Sequence, residues 1–264
     1  MIIVGGVYAT EELNDASPEY IEEYYLKSLK AFNEQKYEES LNHIRHVINS
    51  DVTNFKLRYL AAHNHWKQGN FESAIAHFER TLKLNPAAPG PYIDYALMQI
   101  HRRQLRAARK IALRGIENLK NHKVAIPSKL YNILSRIDLL QSNAKGALRY
   151  AEKAKAVFDQ KETGVKDKLE AVVLEARAHL SLGDYPKAKI SMLWGLSFRN
   201  ESPYLHNLLG YIYQQWYKAE KKRSPKKAAD LKDKALEHFN IALNSPNLVA
   251  SFKELIQTNI DKFS

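Results

Sequence analysis

The sequence predicts an all-α fold, an array of antiparallel helix pairs stacked as a solenoid and closed by a C-terminal capping helix. Three observations point there. A large residue stands at Tyr37, Phe71 and Leu105, spaced by 34, and the same frame returns at Ala144 and Tyr185 after spacings of 39 and 41. A small residue follows each frame position at Ser40, Ala74, Ala108, Ala147 and Ala188, with a sixth copy at Ala235. Four residues on come Ile44, Phe78, Ala112, Ala151, Met192 and Phe239; seven on come Val47, Thr81, Gly115, Ala154, Gly195 and Ala242. Those offsets trace one buried stripe of a helix. Gly and Pro number 10 and 9 in 264 residues, which leaves long runs without breakers.

The elements follow in order. Residues 1–20 form an acidic N-terminal segment. Six units fall at 21–54, 55–88, 89–122, 128–161, 169–202 and 203–249, and 250–264 remains as a cap. A helix pair cannot bury its apolar faces alone, so each unit is stabilised by stacking on its neighbours. The last unit is 47 residues long and carries 13 more than the basic period. Leu208-Leu209-Gly210 begins its first helix pattern, and Ala235 to Ala242 carries the second. Ser224 and Pro225 offer an N-cap and a first helical residue, predicting a helix over Lys226–Asn244. The extra residues predict a hairpin that projects by one or two turns. A smaller extension is expected around Thr163-Gly164. The cap, from Ala250 through Phe252, Leu255, Ile256 and Ile260, reads as an amphipathic helix.

Residues 55–88 closely resemble a tetratricopeptide repeat (TPR), through Gly69-Asn70-Phe71, Ala74, Phe78 and the closing Pro86. The resemblance is good at 21–54 and 169–202. It implies a right-handed, TPR-like superhelical solenoid of about six repeats. It also implies a non-enzymatic scaffold or adaptor that binds a peptide or helical segment of a partner in a concave groove lined by the first helices. The groove positions so implied are Tyr25, Leu29, Tyr59, His63, Trp66, Ile93, Leu97 and Ile100, then Asn132, Arg136, Arg177, Asn207 and Tyr211. The first group is apolar and aromatic. The second offers amides for a peptide backbone and Arg for carboxylates. Together they suit an amphipathic partner segment with acidic character. Chaperone-binding TPR domains use a Lys/Asn carboxylate clamp. The matching places here hold Tyr25, Leu29, Leu60, Gly90 and Asp94, so that recognition is not expected. A six-repeat chain of this size is also similar to bacterial pilus-assembly pilotins, which are usually lipid-anchored through a cysteine that this chain lacks.

Charge is segregated. The chain has 40 basic and 29 acidic side chains, a net charge of +11. Residues 101–123 carry net +7 and residues 217–234 net +5, so the remainder sums to about neutral; residues 1–23 hold six acids and no Lys or Arg. The expected basic docking patch comprises Arg102, Arg103, Arg106, Lys110 and Arg114, with Lys221, Lys222, Arg223, Lys226 and Lys227 on the hairpin. Arg106, Lys110 and Arg114, spaced by four, are expected on the outer side of their helix. The same segments leave open a nucleic-acid-associated repeat protein. The 101–123 segment lacks the aromatic residues that stack on single strands.

There is no cysteine, hence no disulfide, thiolate metal site or cysteine nucleophile. No nucleotide-binding, hydrolase or zinc-protease motif is present. His43 and His46, and His63 and His65, lack supporting ligands at metal-binding spacing. No enzyme activity, cofactor or metal is expected. No apolar run is long enough to cross a membrane. Met1–Ala9 is too short for a signal peptide, although Val7-Tyr8-Ala9 looks like the end of one. A cytoplasmic location is therefore expected. The alternative is a periplasmic assembly factor of an envelope machine, if that stretch is a signal remnant.

Overall fold

The computed structural model describes residues 16–158 and 165–263. The expectations at Met1–Ala9 and Thr163-Gly164, and most of the acidic segment, lie outside those residues. Thirteen α-helices occupy the described residues, with no strand among them. The chain divides into two compact units, Met1–Met98 and Gln99–Ser264, and the division falls inside helix α5 (Pro89–His101).

The first unit holds α1 (Pro18–Asn33), α2 (Tyr37–Val47), α3 (Phe55–Lys67), α4 (Phe71–Leu84) and the start of α5. Ser17 caps α1 by accepting from the Tyr20 N–H, and Asn54 caps α3 by accepting from Lys56 and Leu57. Leu41, Ile44 and Val47 of α2 meet Leu57, Leu60 and Ala61 of α3, with Tyr24, Tyr25 and Leu29 of α1 packed on them. Ser40, the one hydroxyl at the small position, is buried because α1 supplies its partner. Ser28 Oγ donates to the Ser40 carbonyl at 3.0 Å, and Ser40 Oγ donates to the Ser28 carbonyl at 2.8 Å. Asn64 Nδ2 then donates to Ser40 Oγ at 2.8 Å.

The second unit holds the end of α5, then α6 (Leu105–Asn121), α7 (Ser128–Leu140), α8 (Ala144–Phe158), α9 (Val165–Ser181), α10 (Tyr185–Phe198), α11 (Pro203–Glu220), α12 (Pro225–Leu243) and α13 (Ala250–Asp261). Within it α8 packs on α7 and α9, α10 on α9 and α11, and α12 on α11. Its core joins Val173, Met192, Leu205, Leu209, Ile212, Phe239 and Ile256. Ser135 Oγ donates to the Ala147 carbonyl at 2.8 Å, across the same 12 residues as the bond from Ser28 to the Ser40 carbonyl. At Gly210 the approach of α12 is so close that an added Cβ would lie 2.8 Å from the Phe239 ring and 3.1 Å from the Ala235 carbonyl. Ser224 precedes α12, with Pro225 in its first turn, but the Ser224 side chain makes no capping bond, so Pro225 alone marks that start. The helix is one residue displaced from expectation, ending at Leu243.

Candidate functional site

The second unit contains a cavity of about 1030 Å³. Its walls are first helices, α7, α9 and α11, with α13 at one side. Arg136, Arg177, Asn207 and Tyr211, all expected groove residues, line it together. Leu169, Val173 and Leu208 supply apolar surface between them, and α13 adds Phe252, Leu255, Asn259 and Lys262. The apolar floor is open to solvent at Leu140 and Leu255, which are 57% and 49% exposed.

The polar groups are held in place. Arg136 pairs with the Glu170 carboxylate, which Lys129 also reaches. Arg177 Nη2 donates to the Tyr204 hydroxyl at 2.7 Å, and its guanidinium stands 6.0 Å from that ring. Among the described residues, the buried Asn207 Oδ1 has no hydrogen-bond partner. Three cations, Arg136, Arg177 and Lys262, face one carboxylate, Glu170, so the cavity is net positive. The α13 wall is fixed by the fully buried Ile256 and by Gln214 Nε2, which donates to the Asn259 carbonyl at 2.6 Å.

Asn132 is not at the cavity. It is buried, and its Nδ2 donates to the Asp167 carbonyl at 3.3 Å. The Asp167 carbonyl satisfies only its N–H side, and among the described residues the buried Asn132 Oδ1, like that of Asn207, has no hydrogen-bond partner.

The first unit has a smaller cavity, about 220 Å³, which brings Tyr25, Tyr59 and His63 together with Leu29, Phe32 and Lys56. The Tyr59 hydroxyl donates to Asp94, and His63 Nε2 lies 3.1 Å from the same carboxylate. Burial, and then the Asp94 charge, push the Tyr59 hydroxyl well above its ordinary pKa, so it stays a donor. Trp66 stands against the His63 ring at 5.9 Å and is not among the cavity residues. Ile93 and Leu97 are half-buried on α5.

Of the expected basic patch, Arg103, Arg106 and Lys110 are exposed, while Arg102 and Arg114 are half-buried. Lys221, Lys222, Arg223, Lys226 and Lys227 are all exposed around the α11–α12 turn. Lys227 is partly committed, at 2.9 Å from Glu220 and 4.9 Å from the Trp216 ring. Arg109, also in the basic segment, turns instead to the buried Asp138. The residues that sequence reasoning missed are Glu170, Tyr204, Phe252, Leu255 and Lys262. One signal was present: Glu170 stands 34 residues after Arg136, an opposite charge one repeat on.

Paired helices with a small residue at each crossing, and a groove lined by their first helices, define a helical-repeat scaffold. The tetratricopeptide repeat family matches residues 55–88. The thirteen helices of the described residues fit about six such repeats. No curated protein matches it by sequence. Among solved structures it is similar to the APC/C hetero-tetramer Cut9-Hcn1, at 15% identity and a TM-score of 0.66, over 95% of this chain and 44% of that one. The chain thus spans less than half of that neighbour. It is also similar to PilF of Pseudomonas aeruginosa, at 12% identity and TM-score 0.66, over 93% and 96% of the two chains. PilW, a type IV pilus biogenesis factor, matches at 16% identity and TM-score 0.63, over 92% and 99%. At these identities the likeness is one of fold. That fold supports protein–protein interaction scaffolds in general and is typically non-enzymatic. Among the described residues, no helix is long and apolar enough to cross a membrane.

Proposed function

We propose that the chain is an adaptor whose second-unit groove takes an amphipathic segment of a partner protein. The observation that carries this is the cavity's composition, an apolar lining of Val173, Leu208 and Leu255 that also holds the cations Arg177 and Lys262. Apolar partner residues lie on Val173, Leu208 and Leu255, and partner carboxylates reach the two cations. Asn207 Oδ1 accepts an N–H from the bound segment, which satisfies its unmet hydrogen bond. The aromatic cavity of Tyr25, Tyr59 and His63 is a second, smaller contact, and the basic residues of 101–123 and 217–234 are outer ones.

Affinity capture from the native cell tests the reading. Arg177→Glu, alone and with Arg136→Glu, is expected to weaken recovery of the partner about tenfold or more, with helicity and melting unchanged. Because Arg136 also holds Glu170, the single variant is the cleaner probe. Undiminished capture by both variants rejects the groove assignment.

A second reading is an assembly factor of an envelope machine, favoured by the nearly full-length match in both directions to PilF and PilW. Cell fractionation with N-terminal sequencing of the mature product decides it. An intact Met1 in the cytosol rejects this reading.

A further inference from the structure

In the Gln99–Ser264 unit, charge is sorted by helix. The second helices α6, α8, α10 and α12 carry net +4, +3, +2 and +1, and Glu117 and Glu152 are the only acids of the first three. The first helices α7, α9 and α11 carry +1, 0 and 0. On α6, α8 and α10 two positions repeat in register, all exposed save the half-buried Arg114. Lys110, Arg149 and Ile190 share one position, and Arg114, Lys153 and Trp194 share the next, by the spacings of 39 and 41. Helix α10 thus places apolar residues where its predecessors place bases. Ile190, Leu193, Trp194 and Phe198 are 62%, 45%, 38% and 37% exposed. No rotation of α10 hides them, because its opposite face already buries Met192 and Leu196.

This apolar ridge is held in shape. The Trp194 and Phe198 rings meet edge to face at 5.1 Å. Lys155 Nζ stands 4.9 Å from the Trp194 ring and is itself fixed by the Glu175 carboxylate at 2.8 Å and 2.9 Å. A rigid aromatic knob loses little entropy when it docks.

We propose that this outer face rests on an anionic lipid bilayer, with Ile190, Leu193, Trp194 and Phe198 entering the interface and the bases of α6 and α8 over the headgroups. The charge pattern favours lipid. Like-signed charge spread across adjacent helices suits a surface of continuous negative charge, whose attraction accumulates per basic residue. Trp and Phe beside aliphatic residues are the side chains that settle at a membrane interface. A protein partner would be registered by charges of both signs, and the α8–α10 face offers Glu152 alone.

Vesicle co-sedimentation of the full chain tests this, with phosphatidylcholine alone and with about 30% phosphatidylserine added. Binding is expected to the anionic vesicles only, and to fall about tenfold or more on raising salt from about 0.05 M to about 0.3 M. Ile190→Gln/Leu193→Gln, which leaves the Trp194–Lys155–Glu175 stack intact, is expected to lower partitioning about tenfold. Lys110→Glu/Arg149→Glu/Lys153→Glu is expected to remove it. Any one of three results overturns the proposal: no binding to anionic vesicles at low salt, binding indifferent to either variant, or capture of an acidic peptide or of duplex DNA without vesicle binding.

Discussion

Glu175 is 8% exposed, yet it carries a charge partner and a hydroxyl, Lys155 and Ser191, drawn from the helices on either side of it. A buried carboxylate stripped of its cation is far more costly than the intact pair is favourable. Lys155→Met is therefore expected to destabilise the protein by about 3 kcal/mol in urea titration. Adding Glu175→Gln should recover much of that, and a Lys155→Met variant as stable as the parent would contradict the pairing. A second residue-scale effect is pH-dependent. His65 and His77 stack at 5.3 Å. Burial, then His65 and Arg58, push His77 down to about 4, and burial also lowers His65. The unfolded chain protonates such groups at about 6.5. It therefore binds more protons than the native state between those values, and stability is full above about 6.5 and declines as pH falls toward about 4. The half-buried site is partly screened, so the loss expected is about 1–2 kcal/mol. His77→Gln should flatten that part of the stability–pH curve, and an unchanged slope would show that other groups set it. Nothing in the local spacing of Glu175 or His77 marks these contacts, because each partner comes from another helix.

At the scale of the element, the turn inside the first five helix pairs obeys one rule, which the longer α11–α12 turn does not share. The residues two before the frame positions, Gln35, Gly69, Arg103, Ser142 and Gly183, all have φ between 58° and 79°. Only glycine adopts that conformation without Cβ strain. Gly183→Val is expected to cost about 1–2 kcal/mol, read as a lower urea midpoint with unchanged slope. Nothing lies within 4 Å of an added Cβ there, so a loss reports backbone strain alone. This turn was partly legible: Gly69 and Gly183 stand out, while Gln35, Arg103 and Ser142 disguise the same geometry. The buried stripe was more legible. Ser40, Ala74, Ala108, Ala147, Ala188 and Ala235 are all fully buried. What periodicity could not supply was the reason Ser is tolerated at the first of them. That depends on Ser28 across the pair.

For the whole molecule, legibility divides along the same line between periodic and particular. Arg136, Arg177, Asn207 and Tyr211 were traceable because repeat geometry turns the same positions of successive first helices one way. The α13 wall of the groove was not, because a cap follows no repeat. That wall ties the cavity to the stability of the α13 helix. Ile256 is fully buried in the core that joins α10 to α13, and Phe252 and Leu255 of the same helix face the cavity. In a repeat array, stability is close to a sum of local terms between neighbours, so damage stays where it is made. Ile256→Ala is expected to remove about 3 kcal/mol locally. Hydrogen exchange should then quicken in α11, α12 and α13 while α1 to α4 keep their protection. If protection fell equally in the Met1–Met98 helices, the chain would be folding as one cooperative body, and the groove's cap could not be loosened without loosening everything else.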